Sequence, residues 1–502
     1  MRTRILIATV VLAISGAPAR AQVPVDLEMT RRIKQEGLER SQAITLYHTL
    51  TDEMGARLTG SPAHDQAANW AKGQFAEWGL SNARLEPFEF GRGWTLEKLS
   101  VEMTAPRYMP FIAYADAWTP SLPGVVDGPV VYVGDKTAAE VQAMASSLRG
   151  AIVLTHLPQA EFRDNDRPQP GVGDGSVRTG NPPSMRVAST TPARELAPIL
   201  QAAGVAVTLR PSIYRDGTVG VLGSRTTADD AVPAMVLSSE QYNMIARLTE
   251  GGIPVELRVE LRTRYDDDTR TFNVLGDILG SDPALKDEIV LVGAHLDSWH
   301  TASGATDNGD GVAAVMEAAR LLTALGARPR RTIRFALWSG EEQGLLGARA
   351  YIAEHLADEA AQEQLQVYLN DDPGSGKSLG FYMQENGAAK EIFDGWLAPL
   401  GDLGVTRNVN EGIGSTDHVP FHDMGLPGFN AIKDFDGYDQ RTRHTNADYP
   451  ERMSEDELKQ QAIFLAHFAW QAAQMDGRIP RARAVASDSG VESSESGTGA
   501  GR

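Results

Sequence analysis

The second half of the chain alternates strand-like and helix-like segments, and this alternation limits the fold more than any other feature of the sequence. From about residue 268, the strand-like runs DEIVLVGAHLDS, RRTIRFALWSG and VYLNDD are separated by helix-like GVAAVMEAARLLTALG and EQGLLGARAYIAEHL. A helix around AAKEIFDGWLAPL and a strand in LPGFNAIKD follow. Strands that alternate with helices form largely parallel sheets covered on both faces. The sequence therefore predicts an α/β fold with a mixed, mostly parallel sheet and helices on both faces.

Other segments of the chain have different residue patterns. Between about residues 25 and 85, apolar residues recur at spacings of three and four, which predicts helices. From about 120 to 260, short β-rich runs such as VVYVG and VELRVELRT alternate with Gly and Pro turns, which predicts a smaller β-rich domain. Near the end, Ser454 and Glu457 form a capping-box signature before a long apolar helix. The Gly- and Ser-rich tail that follows is expected to be disordered.

The first residues, MRTRILIATVVLAISGAPARAQ, have a basic start, an apolar core and small residues that end at Ala21. This is the pattern of a secretory signal that is cleaved after Ala21. The alternative is an uncleaved membrane anchor, but the apolar run is short for the roughly 20 residues that a membrane span needs. We therefore expect an exported protein, periplasmic or extracellular, without stable membrane insertion after cleavage.

Composition excludes several classes of chemistry. The chain has no cysteine, which removes disulfides, thiolate metal ligands and cysteine nucleophiles from consideration. Any metal site must then use His, Asp and Glu. The formal net charge of -19 disfavours nucleic acid and anionic membranes as partners, because both require clustered Lys and Arg.

Polar side chains follow the predicted strands at the points where the strands end. Ligand sites in parallel α/β sheets form outside the carboxyl ends of the strands. Taken singly, a pair of glutamates at a helix start often complements the helix dipole, and an aspartate in a Gly-rich loop often makes a turn. Together, these oxygen and nitrogen donors suit zinc, manganese or cobalt and predict a metal hydrolase. The residues are His295, Asp297, Asp307, Glu341, Glu342, Asp371, Asp372 and His444.

Six separated segments, in the same order, resemble those of the co-catalytic di-zinc exopeptidases. This family, metallopeptidase family twenty-eight, contains bacterial aminopeptidases, carboxypeptidase Q and glutamate carboxypeptidase II. The segments are GAHLDSW, ATDNGDGVAAVMEAAR, RRTIRFALWSGEEQGLLGA, NDDPGSGK, GSTDHVPFHDMGLPGF and HTNAD. The resemblance is strong over about 270–475 and implies the zinc exopeptidase fold. The β-rich region resembles, more weakly, the protease-associated domain of this family.

The resemblance divides the chain into five expected regions. They are a signal peptide (1–21), an N-terminal part of the peptidase domain (22–120), a protease-associated-like domain (121–262), a di-zinc catalytic domain (263–478) and a disordered tail (479–502).

The resemblance also implies two Zn²⁺ ions and a ligand set. His295, Asp307 and Asp372 would hold one ion. Asp307, Glu342 and His444 would hold the other, so Asp307 would bridge the two. The expected substrate is a peptide, which is hydrolysed by a hydroxide that bridges the two metals.

Further roles follow from the same resemblance. Glu341 would act as general base and then as general acid, and Asp297 would orient His295 through its far ring nitrogen. Asp372 is preferred to Asp371 as a ligand because Pro373-Gly374-Ser375 follows it at the family's spacing. His418 is expected either beside the metals or in a structural role.

The end of the peptide that is attacked remains open. An aminopeptidase is favoured because most bacterial members of the family behave so, and the alternative is a carboxypeptidase or dipeptidase of the carboxypeptidase Q type. Arg443 stands where close relatives often carry a second histidine, which bears on substrate preference. A glutaminyl-cyclase-like transferase and a non-catalytic receptor-like module are weaker alternatives. Candidate groups for binding the peptide ends are Glu411, Asp417, Asp434, Lys433, Arg441 and Arg443.

Overall fold

Residues 24–171 and 187–481 are described in the computed structural model of the protein. The predicted signal peptide and the predicted tail beyond residue 481 lie outside the described residues. Residues 479–481, which the sequence analysis places in the disordered tail, are packed: Ile479 is buried, and the carbonyl of Pro480 accepts a hydrogen bond from Asn386. The ordered domain therefore extends slightly further than its composition suggests.

Fifteen strands and twelve α-helices are formed by the described residues. The strands are β1 (Ser81–Glu89), β2 (Gly93–Ala105), β3 (Met109–Pro110), β4 (Ala113–Ala115), β5 (Val126–Tyr132), β6 (Ile152–Leu154), β7 (Val207–Pro211), β8 (Ala234–Leu237), β9 (Glu256–Asp266), β10 (Arg270–Ile278), β11 (Ile289–His295), β12 (Thr332–Trp338), β13 (Leu365–Asn370), β14 (Ser375–Tyr382) and β15 (Gly428–Asp434). The helices are α1 (Leu27–Glu39), α2 (Ala43–His48), α3 (Pro62–Glu77), α4 (Ala138–Ala143), α5 (Ala193–Ala203), α6 (Ser239–Glu250), α7 (Asp310–Ala324), α8 (Leu346–His355), α9 (Glu359–Gln364), α10 (Gly387–Leu397), α11 (Val419–Asp423) and α12 (Glu455–Gln474).

The central sheet has seven strands in the order β1-β10-β12-β11-β13-β15-β14. Four consecutive strands, β12, β11, β13 and β15, are parallel to one another. The pairs β1–β10, β10–β12 and β14–β15 are antiparallel. The predicted mixed sheet is confirmed, with parallel pairing confined to its centre.

Both faces of this sheet are covered by helices, which explains why its central strands are apolar at nearly every position. On β11, Val290 and Val292 face a core built with α7 and α12, whereas Leu291 faces a second core with Trp338 and Tyr351. The predicted helical layers are therefore confirmed.

Helix α12 begins at the predicted capping box. The Ser454 hydroxyl accepts a hydrogen bond from the Glu457 N–H at 3.3 Å, and the Glu457 carboxylate accepts one from the Ser454 N–H at 2.8 Å. These two bonds satisfy backbone donors that the first helical turn cannot pair internally. From Leu458 to Ala473 most side chains of the helix are buried, so the cap fixes the start of a core element.

The second sheet has eight strands in the order β3-β2-β9-β5-β6-β7-β8-β4. It begins at Gly93 and ends at Asp266, so it extends beyond the predicted range of 121–262. Strand β2 pairs with β9 from Gly93 and Asp266 to Ala105 and Glu256. Because the partner strand lies about 150 residues away, the local sequence of β2 does not reveal which sheet it joins. No described helix is both long and apolar enough to cross a membrane.

We expect Ser454→Ala to lower the free energy of unfolding by about 1 kcal/mol, the usual cost of losing an N-cap hydrogen bond. Ser454→Thr keeps the hydroxyl and serves as the matched control. Urea denaturation followed by circular dichroism measures the difference. Equal stability of the Ala and Thr variants would show that the cap contributes nothing to the folded state.

Candidate metal centre

The predicted ligands come from several strand ends on one edge of the central sheet. His295 is the last residue of β11, Glu341 and Glu342 follow the end of β12, and Asp372 lies two residues after β13. Because these strands are parallel neighbours, their carboxyl ends meet at the same edge. The order of the strands in the sheet therefore brings ligands that are far apart in the sequence close together in space.

Two groups of side chains meet at Asp307. The His295 Nε2 lies 3.4 Å from Asp307 Oδ1 and 3.6 Å from Asp372 Oδ1. The His444 Nε2 lies 3.2 Å from Asp307 Oδ2 and 3.0 Å from Glu342 Oε2. In each group the candidate ligand atoms all lie within 4.8 Å of one another. Asp307 belongs to both groups and presents a different carboxylate oxygen to each.

The donor set fits metal ions. Asp307 Oδ2, Glu342 Oε1 and Asp372 Oδ1 are buried and accept no hydrogen bond from the described residues. Buried carboxylate oxygens without donors carry a high desolvation cost unless a cation compensates them. Imidazole nitrogens and carboxylate oxygens in groups of three, with room for a further ligand, are what catalytic zinc sites use. A cavity of about 10 Å³, bordered by Asp307, Glu342, His444 and Trp299, lies at the second group.

Burial and charge oppose each other at the two histidines. Burial disfavours the charged form of His295, but the charges of Glu341 and Asp372 outweigh it and hold its pKa well above the usual range. Burial acts likewise on His444, and Glu342 with Asp307 raises its pKa to about 9. A metal ion binds the neutral imidazole. Its positive charge then takes the place of the proton that each histidine would otherwise carry.

Asp297 uses its main chain and its side chain for different contacts. The His295 Nδ1 lies 2.9 Å from the backbone carbonyl of Asp297 and 3.7 Å from its carboxylate, so the carbonyl orients the ring. The carboxylate accepts hydrogen bonds from the backbone N–H groups of Glu341 (3.2 Å) and Glu342 (3.3 Å). Asp297 therefore fixes one histidine through its main chain and the paired glutamates through its side chain.

The two glutamates have different surroundings. Glu342 points towards His444, whereas the Glu341 carboxylate accepts no hydrogen bond from the described part of the chain. Burial raises the pKa of Glu341 well above its usual range, and Asp372 raises it further against the opposing charge of His295. A buried, unpaired carboxyl beside a candidate metal site has the properties of a general base and acid.

Asp372 and Asp371 face opposite directions. Asp372 faces His295, whereas Asp371 Oδ1 lies 3.2 Å from Lys433 Nζ. Lys433 Nζ also lies 2.8 Å from Asp310 Oδ2, and all three side chains of this ionic group are fully buried. The geometry thus brings Asp372 to the candidate site and places Asp371 in a structural ionic group behind it.

Two supporting residues carry no role in the sequence analysis. Asp448 accepts hydrogen bonds from Thr306 at 2.8 Å and from the N–H of Asp307 at 3.2 Å. Arg57 is fully buried and donates to the carbonyls of Leu296, Gly55, Ser303 and Gly304. Asp448 is the last residue of the HTNAD motif, so the sequence could have indicated its role. Arg57 could not be linked to the site in this way, because it lies about 240 residues from the loop to which it donates.

The remaining candidates separate by burial. Lys433 belongs to the structural ionic group, and Asp434 and Arg441 are exposed. His418 is buried, its Nε2 lies 3.1 Å from the carbonyl of Ile413, and burial lowers its pKa to about 3. These properties describe a neutral, structural histidine.

Two ionisable groups near the candidate ligands have no ion-pair partner among residues 24–171 and 187–481. The Asp417 carboxylate is fully buried, and neither of its oxygens accepts a hydrogen bond. Arg443 is half-buried beside His444; burial opposes its charged form, but Tyr438 and Asp307 raise its pKa. Glu411 accepts a hydrogen bond from Gly171 at 3.3 Å.

Clustered imidazoles and carboxylates at the carboxyl edge of an α/β sheet define the class as a metallohydrolase. Residues 273–469 match Peptidase family M28, so this part of the chain is a domain of that family, and its homologues support a metallo-exopeptidase. The suspected family is confirmed.

Similar proteins support the same assignment over most of the chain. Carboxypeptidase Q of Mus musculus is 28% identical over 437 residues, which is 86% of each chain. The crystal structure of a Peptidase M28 precursor from Shewanella amazonensis SB2B is 25% identical, with a TM-score of 0.69 over 91% of this chain and 98% of that one. A zinc aminopeptidase from Bacillus subtilis shares the fold, with 18% identity and a TM-score of 0.59 over 86% of this chain and 95% of that one.

We expect Asp372→Asn to weaken zinc binding by more than about 100-fold, because even outer partners of metal ligands typically change affinity by about 10- to 100-fold. Asp371→Asn is the isosteric control, and its effect should fall on stability because it removes a partner of buried Lys433. Competition with a zinc chelator measures the affinities, and thermal melting of the metal-free proteins measures stability. A reversed pattern would make Asp371 the ligand.

Proposed function

We propose that this protein is an exported exopeptidase that uses two zinc ions and removes residues from the free carboxyl end of short peptides. The observation that carries the two-zinc proposal is Asp307, whose two oxygens face two separate imidazole–carboxylate groups. Zinc supplies Lewis acidity, which polarises the scissile carbonyl and lowers the pKa of water. Because all five proposed ligands come together, the arrangement disfavours a single-zinc transferase and a receptor-like module. Export rests on the sequence pattern of residues 1–21.

The proposed catalytic residue is Glu341. Its carboxylate takes a proton from the attacking water and then donates a proton to the nitrogen of the leaving amine. The Asp297 carboxylate accepts hydrogen bonds from the backbone N–H of Glu341, at 3.2 Å, and from that of Glu342. The side chain of Glu342 lies next to His444. Adjacent glutamates can therefore divide the work: Glu342 binds metal, and Glu341 moves the proton.

We expect Glu341→Gln to keep its zinc and to lower kcat by about 10²- to 10⁴-fold, the usual contribution of general acid–base catalysis. Glu342→Gln is the matched control, since it should lose about one equivalent of zinc. Zinc content by mass spectrometry is measured beside peptide hydrolysis for both variants. Substantial turnover by Glu341→Gln would exclude this residue as the base.

The proposed direction of cleavage rests on two observations. The relatives that match across 86% of both chains are carboxypeptidase Q, whereas the sequence analysis favours an aminopeptidase. Arg443 adds a half-buried guanidinium that no described carboxylate neutralises, next to the proposed ligand His444. A guanidinium of this kind binds carboxylates in bidentate geometry.

An aminopeptidase is the second candidate, and Asp417 is the observation that favours it. Its carboxylate is buried without a hydrogen-bond donor and lies close enough to Glu341 to raise that residue's pKa in addition to the effect of burial. A free α-ammonium group would supply the missing positive charge. Asp417 and Arg443 together would bind both ends of a dipeptide.

Three dipeptide substrates distinguish these candidates: one with both ends free, one N-acetylated and one C-amidated. We expect cleavage of the acetylated peptide and little cleavage of the amidated one, with all activity lost to a chelator. Cleavage of the free and amidated peptides but not of the acetylated one would establish an aminopeptidase, and cleavage of the free dipeptide alone would establish a dipeptidase.

The same panel tests Arg443. Arg443→Gln should raise KM for free-carboxyl substrates by about 10- to 100-fold, because a charged hydrogen bond contributes about 1.5–3 kcal/mol. Arg441→Gln, at an exposed position two residues earlier, is the control. An equal fall in kcat for free and amidated substrates would instead place Arg443 on the scissile carbonyl oxygen.

A further inference from the structure

The segment that carries His444 is held at both of its ends by the second domain, which we define as residues 93–266, the part of the chain that contains the eight-stranded sheet. We call residues 437–446 the His444 segment; it follows strand β15 and belongs to neither sheet. His444 itself has a left-handed backbone, with φ of 59°. Non-glycine residues adopt this conformation only where surrounding contacts stabilise it. The contacts around this segment therefore determine where the His444 imidazole lies.

At the first end, a loop of the second domain binds the helical turn Tyr438–Thr442. Arg167 donates to the Asp439 carboxylate through Nε and through a terminal guanidinium nitrogen, both at 2.6 Å, and its backbone N–H donates at 3.0 Å. Both side chains are almost fully buried, 2% and 0% exposed. The Asp166 carboxylate accepts from the N–H groups of Gly437 (2.7 Å) and Gln440 (3.0 Å).

At the second end, main chain of the second domain pairs with main chain around the histidine. The N–H of Val221 donates to the carbonyl of His444 at 3.1 Å, and the N–H of Asn446 donates to the carbonyl of Val219 at 3.1 Å. The Asn446 side chain accepts from the N–H of Val219 at 2.7 Å. The Tyr214 hydroxyl donates to the carbonyl of Arg443 at 3.3 Å.

The two proposed metal groups thus differ in how they are supported. His295 ends a central strand and is 1% exposed, so the sheet fixes it. His444 is 20% exposed and lies between two interdomain contacts. On the catalytic side, the bond between the Thr306 and Thr442 hydroxyls at 2.9 Å adds one further link.

We propose that the second domain is a positioning element of the metal centre, with Arg167, Asp166 and the main chain at Val219–Val221 holding His444 in place for the Asp307–Glu342–His444 group. The inference rests on the proposed metal roles of these three residues. It implies that loosening the second domain weakens one metal site and spares the His295–Asp307–Asp372 site. The second domain is then part of the active centre in addition to any contact with substrate.

The experiment is a Co²⁺ titration of metal-free, full-length protein, followed by d–d absorption, with zinc competition for affinities. His444→Ala identifies the site that contains this residue. Arg167→Gln should weaken the same site by about 10-fold or more, the range for outer partners of metal ligands, and leave the other site unchanged. Arg167→Lys, which keeps the charge, should show a smaller loss.

Two further variants guard against a general effect on folding. Asn446→Ala removes a side-chain link at the other end of the segment without leaving a buried charge unpaired, and it should weaken the same site. Arg258→Gln removes an exposed ion pair with Asp127 in the second sheet and should change neither site.

The outcomes separate the two proposals. Equal weakening of both sites, or unchanged affinities in both Arg167→Gln and Asn446→Ala, would overturn the positioning role while leaving the two-zinc proposal intact. Wild-type protein that binds fewer than two Co²⁺ ions at these residues would overturn the two-zinc proposal and the positioning role with it.

Discussion

The Asp307 carboxylate is the point on which the centre depends, because it stands between two imidazoles and shares each with another buried acid. Burial opposes its ionised form, yet the neighbouring imidazoles of His295 and His444 hold its pKa well below the usual range. Glu342 and Asp372 lie in the same region. Together the three carboxylates bring more negative charge than two imidazoles neutralise. Cations are the natural complement of this excess. The rest of the fold keeps the acids together in spite of their repulsion.

That task is divided between the sheet and longer-range braces. Strand order brings His295 and Asp372 to one edge, where the backbone N–H groups of Glu341 and Glu342 bind Asp297. Asp448 anchors the main chain of Asp307 from the segment just beyond His444. The ligands are therefore linked to one another through backbone hydrogen bonds as well as through the proposed metals. Such links fix ligand geometry in advance, which lowers the entropy that metal binding must overcome.

Features set by local pattern could be predicted from the sequence. The parallel centre of the sheet follows from strand–helix alternation, and the cap of α12 follows from Ser454 and Glu457. The preference for Asp372 over Asp371 was available from spacing; in the structure Asp372 lies next to His295, and Asp371 lies next to Lys433. Features set by distant pairing could not be predicted. Gly93 joins the second sheet by pairing with Asp266 in a distant strand. Arg57 donates hydrogen bonds to a loop about 240 residues away. Which group of Asp297 contacts His295 could not be predicted, because its carbonyl and its carboxylate both lie near the ring and spacing cannot distinguish them.

The proposed role of Arg443 connects metal binding with substrate choice. Its carbonyl accepts a hydrogen bond from Tyr214, and the next carbonyl, that of His444, accepts one from Val221. The second domain therefore fixes the main chain of a proposed ligand and of a proposed substrate-binding residue at once. Gly220 allows this close approach, since a Cβ there would come within 2.5 Å of the Tyr214 ring. Because one set of contacts supports both side chains, a change in the second domain that shifts Arg443 would also shift His444. The two proposed roles thus tie substrate preference to the geometry of the proposed metal centre.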